Sequence, residues 1–167
     1  MDSDVMQVDL AVERVRRVYE ADHARLWRSL FAFSGSRPLA DDAVAEAFAQ
    51  ALRRGDRIDD VAAWVWTSAF AIARGELKQR GRTAGDPLGE QRAAGIIDVD
   101  DGDIRHLLHR LAALSHDDRE LIVLCHVGGW KPRELAPLLG VPAGTLRVRL
   151  HRATARAREL LEGEDQP

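Results

Sequence analysis

A single cysteine, Cys125, places the first restriction on what this 167-residue sequence can do. One thiol closes no internal disulfide and lacks the partner cysteines a zinc site wants, so a reducing cytoplasm is the expected compartment. Aromatic residues are scarce at 5%. With few β-branched runs and abundant Ala, Leu and Arg, that balance leans towards helix. No apolar stretch approaches the roughly 20 residues of a membrane span. The opening MDSDVMQVDL is acidic and carries no signal-peptide pattern. GxSxG, the P-loop and GxGxxG are all missing, so neither catalysis nor a cofactor is expected. What remains, 46% hydrophobic and 31% charged, is the balance of a soluble chain able to fold.

Positive charge is also short overall, with a net of −3, which at first argues against a nucleic-acid partner. The distribution of charge argues the other way. Residues 1–82 hold thirteen basic and thirteen acidic groups; 83–103 hold one Arg and six acids; 104–167 hold ten basic and eight acidic groups. The acidity is concentrated in the middle stretch, which also contains Gly85, Pro87, Gly89, Gly95 and Gly102. Glycine, proline and an acid run together predict a flexible linker over 83–103. The expected architecture is therefore all-α, with a helical domain at 8–82, that linker, and a second helical domain at 104–163.

Helical spacing supports both domains. Val8, Val12, Val15, Val18 and Tyr19 form one run, and Leu26, Trp27, Leu30 and Phe31 a second. Gly35 to Pro38 breaks the chain. Asp41 and Asp42 are expected to open a helix through Val44, Ala47, Phe48 and Leu52, since acids suit a positive helix end. After Gly55, Asp59 and Asp60 open another through Trp64, Val65, Phe70, Ile72 and Leu77, ending in Arg74, Lys78, Arg80 and Arg82. Four shorter helices follow: Ile104 to Ala113; one capped by Ser115 and stopped by Gly128 and Gly129; one from Pro132 to Leu139; and one from about Ala143 to Leu161.

The most informative stretch runs from Trp130 to Leu161 and reads as helix, tight turn, helix. Leu135, Ala136 and Leu139 form the inner face of the first helix. Gly140 permits the reversal, and Leu146, Leu150 and Ala153 line the second. Arg147, Arg149, His151, Arg152, Arg156 and Arg158 project from that second helix, with no acid between Ala143 and Arg158. A basic helix presented after a tight turn suits a major groove about 12 Å wide, and arginine can fork onto guanine or bind phosphate. A merely solvated helix would normally mix charges of both signs.

The run GVPAGTLRVRLHRA resembles the region 4 helix-turn-helix of extracytoplasmic-function sigma factors, with pattern G-V-P-x-G-T-V-[KR]-S-R-[LI]-x-R-A. Upstream, LAALSHDDRELIVLCHVGGWKPRELAPLLG resembles the start of the same domain. Here His116 replaces a usual proline, Lys131-Pro132 a hydroxyl residue and its neighbour, and Val148 a frequent serine. The first domain resembles region 2 through DDAVAEAFAQAL, where Asp42, Val44, Glu46 and Phe48 match and Ala45 replaces glutamine. AAWVWTSAFAIARGELKQRGR is similar to the helix that opens the minus-10 element, through Trp64 and its terminal basic cluster. Ala69, Phe70 and Ala71 stand where Ala-Arg-Asn is usual, and an Ile-Ala-Arg occurs later at Ile72 to Arg74. The resemblance covers about residues 10–82 and 104–161.

It implies a DNA-binding adaptor for RNA polymerase, with core polymerase, promoter DNA and an anti-sigma factor as partners. Polymerase contact falls to Asp42, Ala45 and Glu46. Minus-10 contact falls to Trp64, Arg74, Lys78 and Arg80, and minus-35 contact to Thr145, Arg147, Val148, Arg149, His151, Arg152 and Arg156. Two other readings stay open: a helix-turn-helix regulator acting without polymerase, and a sigma-like protein unable to melt DNA.

Other chemistry-bearing residues read more plainly. His106 and His109 lie three apart on a helix but lack a third ligand. Asp98, Asp100, Asp101 and Asp103 do not reproduce a calcium loop and suit a solvated acidic stretch. Trp27, Trp64 and Trp66 sit at helical core spacing, and Cys125 reads as a small buried hydrophobe.

Overall fold

A computed structural model describes residues 2–83 and 102–163. The first helix, α1, runs from Asp2 to Ser34, about 50 Å at 1.5 Å per residue. It joins the two hydrophobic runs into one element, because no glycine or proline interrupts the chain before Gly35. Ala11, Val15, Leu26, Leu30 and Phe33 form its buried stripe. Gly35 stops it with φ of 66°, its N–H bonding to the Phe31 carbonyl at 2.7 Å.

The next helix, α2, spans Arg37–Arg54 and begins earlier than the sequence suggests. Ser36 caps it, accepting from the Leu39 N–H at 3.3 Å, and Pro38 lies in the first turn, where its missing N–H costs nothing. Asp41 and Asp42 therefore do not open this helix; Asp41 instead accepts from the indole of Trp27 at 2.6 Å. Leu39, Ala40, Ala43, Val44, Ala47, Phe48 and Ala51 face inward. After a 3-10 turn at Gly55–Arg57, Asp60 caps α3, Val61–Thr83, by accepting from the Ala63 N–H at 3.0 Å. The α3 core residues are Val61, Ala63, Val65, Trp66, Ala69, Phe70, Ala73 and Leu77.

Four helices form the second half: α4 (Gly102–Ala112), α5 (His116–Ile122), α6 (Pro132–Leu139) and α7 (Ala143–Glu162). All seven α-helices among the described residues fit the all-α expectation. Ser115 caps α5 as expected, accepting from the Asp118 N–H at 3.2 Å. A π-helical turn, Val123–Val127, prolongs α5. The linker expected at 83–103 lies almost wholly outside the described residues, as do Asp98, Asp100 and Asp101.

The two halves pack directly on one another. One continuous apolar cluster runs from Phe33, Phe70 and Leu77 to Leu121, Leu124, Leu135 and Leu146. Trp130 sets its edge against the Trp66 ring at 5.6 Å. Arg119 of α5 is 1% exposed and donates to the Phe33 carbonyl at 2.9 Å, its guanidinium 5.5 Å from the Phe33 ring. Burial lowers Arg119 to about 10, which still leaves it charged at neutral pH.

Candidate promoter and polymerase surfaces

The helix-turn-helix is built by α6 and α7. Glu134 covers the start of α6, accepting from the Lys131 N–H at 2.8 Å. Gly140 takes φ of 64°, a left-handed cap that only glycine adopts freely, and the Val141 N–H closes back on the Ala136 carbonyl at 3.1 Å. Leu135, Ala136 and Leu146 are buried in one cluster at the angle between the two helices, while Ala153 packs with Leu114 and Ile122. This apolar seam fixes how α7 presents its other faces.

Three- and four-residue spacing divides the α7 cations into two stripes. Arg147, His151 and Arg158 form one; Arg149, Arg152 and Arg156 form the other. All six are exposed, as are Thr145 and Val148. The second stripe lines a cleft of about 530 Å3, together with Arg74 of α3 and Asp117, Asp118 and Glu120 of α5. Arg156 pairs with Asp118 at 2.5 Å, and Arg74 pairs with Glu120 across the two halves. Glu120 is only 8% exposed, and burial raises its carboxyl above the usual range despite the opposing pull of Arg74. Sequence reasoning does not single out Asp118 or Glu120. Asp118 and Glu120 stand 38 and 46 residues from their partners Arg156 and Arg74, so no local signal marks them.

The α3 candidates are dispersed. Trp64 is half-buried under the guanidinium of Arg54, 5.3 Å from its ring. Lys78 is exposed, and Arg74 and Arg80 are half-buried. Trp66 is core: its indole donates to Asp22 at 2.8 Å. Phe70 is 1% exposed, so the position where an arginine is usual holds a packed aromatic instead.

Asp42, Ala45 and Glu46 share the solvent side of α2. Glu46 accepts from Gln50 at 2.7 Å and from Arg53 at 2.9 Å, and these bonds hold its carboxyl below the usual range. Ala45 also borders a groove of about 940 Å3 between α1 and α2, with Val12, Tyr19, Phe48 and Leu52 on its walls. Tyr19 and Leu52, which the sequence sets in apolar helical runs, are 46% and 49% exposed.

Cys125 is half-buried, and burial pushes its thiol to about 11, so it stays protonated and weakly reactive at neutral pH. Among the described residues, no group of His, Cys, Asp or Glu is assembled that could hold a metal, and no helix is long and apolar enough to cross a membrane.

Residues 104–156 match the family model for sigma-70, region 4. The RNA polymerase sigma factor CarQ of Myxococcus xanthus is 33% identical over 130 residues, 74% of this chain and 75% of CarQ. The ECF RNA polymerase sigma factor SigL of Mycobacterium tuberculosis is 28% identical over 157 residues, 89% of each chain. Two solved structures share the fold. The sigma factor RpoE from Bartonella quintana, crystallised with the anti-sigma factor NepR, has a TM-score of 0.70 at 24% identity, covering 89% of this chain and 97% of its own. CnrH, in complex with the cytosolic domain of CnrY, has a TM-score of 0.72 at 21% identity, covering 95% and 99%.

Proposed function

Since the chain belongs to the extracytoplasmic-function sigma factors of RNA polymerase, we propose that its two halves divide promoter recognition between them. The protein directs transcription initiation. In the division proposed, Asp42, Ala45 and Glu46 of α2 dock on core polymerase, and Trp64, Arg74, Lys78 and Arg80 of α3 meet the minus-10 element. Thr145, Arg147, Val148, Arg149, His151, Arg152 and Arg156 of α7 read the minus-35 duplex. Nucleotide addition stays with the polymerase, so the chain acts as an adaptor in the cytoplasm and does no chemistry itself. RpoE and CnrH were solved with anti-sigma factor NepR and with CnrY, respectively, and an inhibitory partner of this kind is proposed here too.

The observation that carries the reading is a helix with no acid between Ala143 and Arg158, exposed along two cationic stripes and held by a tight left-handed glycine turn. Glu46 tests the polymerase half, because it is exposed and its partners among the described residues, Gln50 and Arg53, lie on its own helix. Glu46→Arg is expected to fold normally by circular dichroism and to bind a minus-35 duplex as before, while losing co-purification with core polymerase. Equal recovery of both proteins with core would remove α2 from the docking surface. A regulator acting without polymerase has no observation in its favour.

One alternative does have support. Phe70 is packed into the core where the family's helix usually offers arginine, which favours a protein that binds promoters but melts them poorly. Permanganate reactivity of minus-10 thymines in the assembled complex decides this: unreactive thymines support weak melting, and reactive ones dismiss it.

A further inference from the structure

Between the two cationic stripes of α7 runs a lane without charge. Leu146 and Ala153 are buried and Leu150 is half-buried, which fixes the inner side of the helix. Val148 lies two residues after Leu146 and two before Leu150, so at 3.6 residues per turn it stands on the opposite, outer side. Gly144 and Ala155 share that side, and all three are exposed. Arg147, His151 and Arg158 flank the lane on one hand, and Arg149, Arg152 and Arg156 on the other. Gly144 offers no side chain, and a Cβ there would meet nothing within 4 Å. Val148, 50% exposed, is therefore the largest side chain in the lane.

Cations on both flanks of a helix can take the phosphates on the two walls of a major groove, and the lane between them then meets the base edges. Valine has no donor or acceptor to offer there. Against the polar edge of a purine or a cytosine it would displace water without returning a hydrogen bond, which is unfavourable. The apolar group that the major groove presents is the C5-methyl of thymine, and 5-methylcytosine carries the same group. We propose that Val148 is a specificity-determining residue that packs on a pyrimidine C5-methyl, in ordinary DNA that of a thymine, within the minus-35 duplex. The proposal rests on the assignment of α7 to that duplex. Serine, frequent at this position in the family, has a hydroxyl that can pair with donors or acceptors alike. Valine exchanges that adaptable contact for a preference for one methyl group.

Holoenzyme assembled with the full-length chain tests this, with Val148→Ser beside the wild type. The side chain is exposed, so the exchange leaves the core intact, and circular dichroism checks the fold. Each holoenzyme selects from duplexes randomised over both promoter elements. The duplex that the wild type prefers is then remade with deoxyuridine for each minus-35 thymine in turn, which removes the methyl and nothing else. One such replacement should weaken wild-type binding about fourfold, the worth of one buried CH2 group. Val148→Ser should bind the thymine and uracil duplexes alike, and its own selection should no longer favour thymine at that position. For the wild type, 5-methylcytosine paired with guanine there should outbind cytosine by a similar factor, because it sets the same methyl at the same place in the groove.

A preferred site without a minus-35 thymine overturns the proposal, as does a wild type indifferent to deoxyuridine at every such thymine. An equal loss in wild type and Val148→Ser overturns it too, because the methyl is then read by another group. Equal binding of cytosine and 5-methylcytosine would remove the methyl as the feature recognised. Arg152→Ala on the same duplex keeps this question separate from the reading of α7. Weaker binding by Arg152→Ala with no uracil effect in the wild type leaves α7 as the reader and removes only the role of Val148.

Discussion

The first three helices and the last four are built on different physical terms. All four phenylalanines, the one tyrosine and three of the four tryptophans lie before residue 83. Large aromatic side chains bury some 150–250 Å2 each, so α1 to α3 enclose a core of their own around Phe33, Trp66 and Phe70. The second half has a small separate cluster, Leu114, Ile122 and Ala153, and otherwise buries Leu121, Leu124 and Leu135 against the first. A self-sufficient half supports a dependent one. The dependent half therefore adds a recognition surface at little cost in core volume, but its position answers to the other half.

Phe70→Ala tests that comparison most severely. It should cost about 3–5 kcal/mol through the cavity left in the first half, read from a denaturant titration. Because the halves share a cluster, the second should unfold in the same transition. Two separated transitions, with the second at its wild-type midpoint, would mean the dependence is absent.

Arg152→Ala probes the recognition surface of the dependent half. It should weaken minus-35 binding by holoenzyme by roughly 1–3 kcal/mol if it meets a base, and by less if it meets phosphate. Recovery with core polymerase should not change. Unaltered promoter affinity in Arg147→Ala, Arg149→Ala and Arg152→Ala alike would take α7 out of recognition.

The smallest effect expected is a pH dependence at the contact between halves. Burial raises the Glu120 carboxyl above its unfolded value. Its contribution to stability is thus fully present below the unfolded pKa and is lost as pH rises through the folded one. At pH 7, Glu120→Gln should equal or slightly exceed wild type in melting temperature, and that advantage should shrink on acidification towards pH 4. A variant markedly less stable at pH 7 would show that the Arg74 attraction outweighs burial, since a buried pair can be neutral or worse than a neutral substitute.

Most helix ends are legible in the sequence because they depend on local chemistry: Ser115, Pro132 and Gly140 each act within a turn or so of where they stand. Asp41 and Asp42 mislead for the same local reason, since a Ser-Arg-Pro start a few residues earlier already satisfies the helix end. The recognition helix is legible as an acid-free run, but not which flank turns towards α5. That depends on the fold: Arg119 and the Phe33 carbonyl are 86 residues apart, and no spacing rule links them. The exposed groove beside Ala45 is hidden too, because periodicity marks Tyr19 and Leu52 as apolar without saying that the described helices leave them exposed.

Gly128 and Gly129 stop the π turn together, yet only Gly129, at φ of 74°, needs glycine for its backbone. Gly128 has an ordinary backbone, with φ of −76°. Its constraint is room: a Cβ there would stand 2.7 Å from the Leu124 carbonyl oxygen, 3.0 Å from the Trp66 ring and 3.2 Å from that of Trp130. One hydrogen atom in place of a methyl is what lets two indoles close on each other. The distance between the halves is therefore set at a position assigned to neither DNA nor polymerase. The smallest substitution there, to alanine, would act as a wedge, and chains that drift at this residue change how far apart their halves stand before any contact residue changes.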